Sequence, residues 1–326
     1  MTIRSSSWKL DNSETKQFLI RVTMAIMQGS LALTTTIKLF LSLSGLITYP
    51  FLHYAICSFI RWKAPWLDKG RAFRITTSTV SGLQSVVIVA ISARAVIMCK
   101  DIINDEDIFI HAFIWFAVSY FPYDIIVMFI GSTYANKNKK LHITHGKSFL
   151  KFFKKETVMV LHHVIFLTVG FPIAEFYKKQ IGDFFLCCFL LAEASTPFYS
   201  ARCIFKELEI RSGWFYVMNG LLFLVVFLFC RVLSTPLMFL RYSYYANIPF
   251  MQVPFNIPFK CTAACIVFFL LQFHWFRLIC LAAKNHVFKK EKSNSLILME
   301  DRNLSKKSVE DKQCGSHLTN GHLKTT

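Results

Sequence analysis

Residues 109–131 read FIHAFIWFAVSYFPYDIIVMFIG, an apolar run of 23 residues with one carboxylate, Asp124, inside it. Roughly 20 residues at about 1.5 Å of rise cross a bilayer core as an α-helix, so this stretch is long enough to span and far too long for a strand. Six further runs have the same character: 39–60, 75–98, 157–176, 182–201, 215–240 and 261–283. The fold class they predict is all-α, a polytopic membrane protein of about seven transmembrane helices. Residues 18–37 form a weaker run. Its Arg21, Gln28 and Thr34–Thr36 suit an interfacial helix within a polar N-terminal segment, 1–38. The transmembrane domain then covers 39–288, and 289–326 is a basic, Ser/Lys-rich tail with the composition of a disordered segment.

Composition agrees with this reading. The 326 residues are 54% hydrophobic and 17% charged, include 34 Phe and have a mean hydropathy of +0.43. Those values argue against a soluble globular enzyme, a disordered chain and a small disulfide scaffold. The net charge of +18 comes from basic residues that flank the apolar runs, which reads as membrane topology and not as nucleic-acid binding. The loops after spans one, three and five plus the C-terminal tail hold 24 Lys and Arg, and the opposite side holds 10. The positive-inside bias therefore places the C-terminus in the cytosol, with the acidic stretch 101–107 on the other side. The Asn303 sequon would then face the cytosol and stay unmodified. The polar first 17 residues do not resemble a cleavable signal peptide. The ten Cys contain no C-x-x-C pair and most lie inside apolar runs. Cys99 and Cys261 fall at the non-cytosolic interface, either as a disulfide or as two free thiols.

Ionisable residues inside spans are costly, and each is a candidate for function. They are Asp124, the pair His162-His163, Glu193, Arg231, and His274 with Arg277. From these boundaries Asp124 lies ~10 Å from the cytosolic end of its helix, His162 ~9 Å and Glu193 ~12 Å. Three helices thus deliver two carboxylates and two imidazoles to one layer, and His274 is expected at a similar level. Arg231 is expected deeper, too far in depth to be a certain partner of Glu193. Tyr120 stands one turn before Asp124 on the same face and could hold its carboxylate. Pro197 should free the Glu193 carbonyl. Adjacent histidines point about 100° apart, so at most one faces a reacting group. Each of these groups also has a purely structural reading as a hydrogen-bonding residue between helices.

The same residues resemble the TLC-domain family of membrane proteins, which includes ceramide synthases and the translocon-associated membrane protein. The likeness runs over 39–288. It rests on SGLQSVVI with the preceding Arg74, AFIWFAVSYFPYDIIVM, Leu161-His162-His163, AEASTPF at 192–198, and VPFNIPFKC followed by QFHWFRLIC. The last two blocks are similar to the TLC domain-containing protein 3 subgroup. The resemblance implies six helices ringed around a lipid-sized cavity. In ceramide synthases a Thr stands three positions after the second His, with acidic residues before the pair; here Phe166 takes the Thr position and Glu156 is the one nearby acid.

The chemistry expected is N-acyl transfer from acyl-CoA to a sphingoid base. A His beside a carboxylate acts as general base or transient acyl acceptor, and basic loops meet the CoA phosphates. His162, His163, Asp124 and Glu193 are the candidate catalytic residues, supported by Tyr120, Arg231 and His274. The loop 137–155 carries seven Lys for phosphates, anionic lipid or topology alone. The alternative is a non-catalytic lipid-binding or lipid-homeostasis protein of the same fold. The expected partners are membrane lipids, long-chain acyl-CoA and a sphingoid base. No metal or resident cofactor is expected: His142-x-x-His145 and His162-His163 are too few for a di-iron centre. The expected compartment is the endoplasmic reticulum, with the Golgi or plasma membrane as alternatives, and a homo- or hetero-oligomer stays open.

Overall fold

A computed structural model describes residues 33–138, 145–177, 181–210 and 213–284, with side chains omitted at 135–138 and 145–148. The described residues are helices and turns without a strand. Seven helical segments are long and apolar enough to cross a membrane: Thr35–Lys63, Lys69–Met98, Ile108–Tyr134, Phe149–Tyr177, Asp183–Glu207, Trp214–Val232 and Phe259–Lys284. They match the seven runs read from the sequence, most of them longer at the end that carries Lys and Arg. The additional run 18–37, the His142-x-x-His145 box and the tail lie wholly or mainly outside the described residues.

The elements follow from local chemistry. Helix α1 (Thr35–Lys63) starts at Thr34, whose hydroxyl accepts the Ile37 N–H. Helix α2 (Lys69–Met98) starts at Asp68, whose carboxylate accepts the Gly70 and Arg71 N–H groups, and α3 (Ile108–Ala117) starts in the same way at Asp107. The third span breaks at Val118 and Ser119 before α4 (Tyr120–Asn138). Pro122 lacks the N–H that would bond the Val118 carbonyl, and Ser119 turns its hydroxyl to the Ser42 carbonyl at 2.7 Å.

Three more interruptions each precede a proline. In the fourth span α5 (His145–Ile165) runs into a π turn, Phe166–Gly170, closed by the Phe171 N–H on Phe166 just before Pro172; a second π turn covers Ile173–Tyr177. In the fifth, α6 (Asp183–Leu190) tightens to a 3-10 turn, Leu191–Ser195, before α7 (Thr196–Glu207), which has Pro197 in its first turn. In the sixth, α8 (Trp214–Phe227) passes through a π turn, Leu228–Val232, into α9 (Ser234–Ala246) with Pro236 near its start. A short α10 (Val253–Asn256) and the final helix, α11 (Phe259–Lys284), follow.

The chain divides into two compact units, up to Phe269 and from Leu270 onward. In the first, α2 is the central element and packs against α1, α3, α4, α6 and α7. Two apolar clusters hold it. One joins Ile88 and Ala95 of α2 to Ile110, Phe113 and Ala117 of α3 and Cys187 of α6. The other joins Val80 to Tyr49 of α1 and to Tyr120, Tyr123 and Val127 of α4. Outward positions such as Phe40, Ile47, Phe51, Val86 and Phe229 are large, apolar and exposed, the surface that lipid covers. Cys99 and Cys261 are free thiols. Cys99 neighbours Asp105, Asp101, Arg241 and Cys188, and Cys261 neighbours Cys265, so of the two alternatives the structure has the free thiols.

Candidate functional site

Asp124 and His163 come together as the sequence suggests. The Asp124 carboxylate is buried at mid-span, with Oδ2 3.4 Å from His163 Nδ1, and both side chains are 9% exposed. The contact falls short of hydrogen-bond geometry and is an ion pair only when the imidazole is protonated; the Nδ1 atom has no hydrogen-bond partner. Tyr120, one turn earlier on α4, hydrogen-bonds the same carboxylate and reaches Ser81 on α2. The ring of His163 lies edge-on to Tyr120 and Phe121 at 6.3 and 5.7 Å. An aspartate, a phenol and an imidazole from two spans therefore share one buried cluster, where a charge formed on the imidazole would meet the carboxylate with little water between them.

His162 points away, as neighbours on a helix must. Its ring stands 5.7 Å from His163 and 4.7 Å from Phe166, and it lies within electrostatic range of Glu193 and Arg231.

Arg231 and Glu193 correct the sequence reading. Arg231 Nη2 is 3.4 Å from Glu193 Oε1, its Nε donates to Ser195 Oγ at 2.8 Å, and Nη2 also reaches Thr196 Oγ1 at 3.3 Å. Thr196 in turn donates to Glu193 Oε2 at 2.7 Å. The expected separation in depth fails for two reasons. The fifth span runs on to Glu207, so Glu193 sits about 14 residues, or ~21 Å, from that end, nearly level with Arg231 at ~26 Å from Trp214. The 3-10 and π turns then face each other and bring the two side chains together. Pro197 also acts differently from expectation. The Glu193 carbonyl is not left free, because the Thr196 N–H takes it in the 3-10 pattern.

His274 is exposed and belongs to the second unit. Three polar groups were not singled out in the sequence. His53 on α1 is buried, its Nδ1 2.8 Å from the Tyr123 hydroxyl and its Nε2 unpartnered. Tyr49 donates to Gln84 Oε1 at 2.6 Å and stacks on Tyr123, extending the polar track behind Asp124. A second buried cluster, His111 with Glu175 and Asp183, lies toward the acidic end of the same spans. Its members sit near helix ends, where a charge in sequence looks like one that reaches out to solvent. Arg94 does behave that way, meeting Asp107 at 2.6 Å over the Phe109 ring.

A family model for the TLC domain matches residues 74–281, more than half of the chain, and carries Arg74, Tyr120, Asp124, both histidines, Glu193 and Arg231 within it. The chain belongs to the TLC-domain family and is an integral, multi-pass membrane protein. No solved structure matches it.

Proposed function

We propose that this TLC-domain protein acts on membrane lipids by acyl transfer, moving a long acyl chain from acyl-CoA to the amine of a sphingoid base, as ceramide synthases do. Within the family we place it with the TLC domain-containing protein 3 subgroup, in the endoplasmic reticulum and with its C-terminus in the cytosol. The observation that carries this reading is the buried contact of His163 Nδ1 with Asp124, held by Tyr120. In the reaction the amine nitrogen attacks the thioester carbonyl carbon and a C–N bond forms. His163 takes the amine proton on Nε2 while Asp124 faces Nδ1 and stabilises the imidazolium. The C–S bond breaks, and CoA leaves as the thiolate. Arg231 is the donor on which the oxyanion would draw. His162, with a different outlook on the same layer, is the residue that could carry the acyl group in a two-step route.

One observation favours a second reading, a lipid-binding protein without turnover. Phe166 occupies the position where ceramide synthases carry Thr, and its ring packs on His162 and stacks on Phe121 at 5.8 Å. Purified protein incubated with acyl-CoA and sphingoid bases, followed by lipid mass spectrometry, separates the two. N-acylated product supports acyl transfer. Lipid co-purifying with the protein, unchanged after incubation, supports carriage.

A further inference from the structure

The second polar cluster is built from the same three spans as the candidate site. His111 precedes Asp124 by 13 residues on the third span, Glu175 follows His162 by 13 on the fourth, and Asp183 precedes Glu193 by 10 on the fifth. At about 1.5 Å per residue the two layers are ~15–20 Å apart along each helix. His111 Nδ1 is 2.7 Å from Glu175 Oε1, and its Nε2 is 3.1 Å from Asp183 Oδ2. All three side chains are at most 7% exposed. Trp115 Nε1 donates to Glu175 Oε2 at 2.6 Å, and the Asp107 N–H donates to Asp183 Oδ2 at 2.8 Å.

We propose that His111, Glu175 and Asp183 are positioning residues, a lock that fixes the axial register of the three spans and so the distance between His163, Asp124 and Glu193. Proton counting gives the lock a chemical signature. Ionised carboxylates only accept, so the two N···O contacts need two hydrogens between them, one more than a neutral imidazole supplies. Lys38 on α1, 4.0 Å from Glu175 Oε2, balances the remaining negative charge. Among the described residues, the charged groups next nearest the cluster include Asp107 and, through it, Arg94 of α2; Asp101 and Asp105 are held by N–H groups of their own loop. Removing the extra proton leaves one buried contact as lone pair against lone pair, and the lock opens.

The inference rests on the acyl-transfer reading only for its effect on turnover; the register can be read without substrate. Phe129 and Phe152, on spans three and four at the far side of the catalytic layer, have ring centroids 5.5 Å apart. A photoreactive benzoylphenylalanine at position 129, with a protease site inserted between residues 138 and 145, joins the two fragments on irradiation when the spans are in register. Wild-type protein should cross-link well near neutral pH and several-fold less at alkaline pH. His111→Ala and Glu175→Ala should lose the cross-link at every pH. Glu175→Gln should keep it and abolish the alkaline loss, because its amide N–H donates to Nδ1, its carbonyl still accepts from Trp115, and the neutral imidazole N–H serves Asp183. Full cross-linking in folded His111→Ala or Glu175→Ala overturns the lock, as does Glu175→Gln behaving like Glu175→Ala. Should the alanine variants fail to fold, the pH response of Glu175→Gln alone decides. Loss of acyl transfer in the wild type with this cross-link pattern intact would refute the function and leave the lock standing.

Discussion

Replacing Gly45 by alanine places a methyl group where the structure has no space. A Cβ there would lie 2.3 Å from the Phe116 carbonyl oxygen and 2.9 Å from Ser119 Oγ. The first of these is backbone and cannot swing aside, so α1 and α3 must separate by roughly 1 Å, overpacking of a kind that costs ~1–3 kcal/mol. The same junction carries two hydrogen bonds, Ser42 Oγ to the Trp115 carbonyl at 2.9 Å and Ser119 Oγ to the Ser42 carbonyl at 2.7 Å. Stretching both adds ~1–3 kcal/mol. The better helix propensity of alanine returns about 1 kcal/mol. The net expectation is a loss of about 3 kcal/mol. Thermal unfolding in detergent, read by thiol-reactive fluorescence as buried Cys187 becomes accessible, measures it. Gly220→Ala is the control, since its nearest neighbour is the tip of the flexible Arg202 side chain at 3.3 Å. A Gly45→Ala protein that melts with the wild type, or no earlier than Gly220→Ala, refutes the close approach of α1 to the break in the third span.

Under the acyl-transfer reading, His163→Ala should lower product formation by about 10²–10⁴-fold, with membrane expression unchanged in quantitative immunoblots. Asp124→Asn keeps the shape and removes the charge facing Nδ1, and its rate should fall while substrate binding measured by equilibrium dialysis holds. Arg231→Ala should cost more than Arg231→Ala combined with Glu193→Gln, because the single change strands a half-buried carboxylate; a double-mutant cycle of unfolding midpoints reads the difference. Outside the spans, the Asn104 amide and the Ile103 N–H hold the Asp101 carboxyl down at about 2. A depressed folded value means that its contribution to stability is present above the ordinary aspartate range and is lost as pH falls through about 2. Asn104→Ala should move the Asp101 carboxylate titration, followed by infrared difference spectroscopy, back toward the ordinary range.

The seven spans were legible because length and hydropathy alone fix them. Their ends were not. The fourth span begins at Phe149 and not near 157, since Lys151, Lys154 and Lys155 look like loop in a hydropathy reading while they occupy the exposed side of an amphipathic turn. That shift alone moves His162 from a shallow position to about 13 residues, or ~20 Å, inside its helix. Tyr120, Asp124 and His163 were readable because two are one turn apart and the third falls at the same depth. The Arg231–Glu193 contact was not, since it depends on a π turn facing a 3-10 turn, although Pro197 and Pro236 mark where both occur. His53 stayed hidden as a lone histidine in an apolar run. The His111 cluster is built by pairing across the fold, and no spacing within one span announces it.

A π turn holds one residue more than the α turn it replaces. In the fourth span this makes the count of residues between His163 and Glu175 matter more than their identity. Because the turn already absorbs one extra residue, deleting one from Phe166–Gly170 would relax it to an α turn with the helix beyond still facing the same way. Inserting a further residue would turn everything beyond it by about 100°. His162 and His163 would stay where they are, while Glu175 swung away from His111 and Trp115. Beyond Phe166, which packs on His162 and Phe121, nearly any apolar side chain can replace another along this stretch, so substitutions there should be quiet. A lengthening would not be.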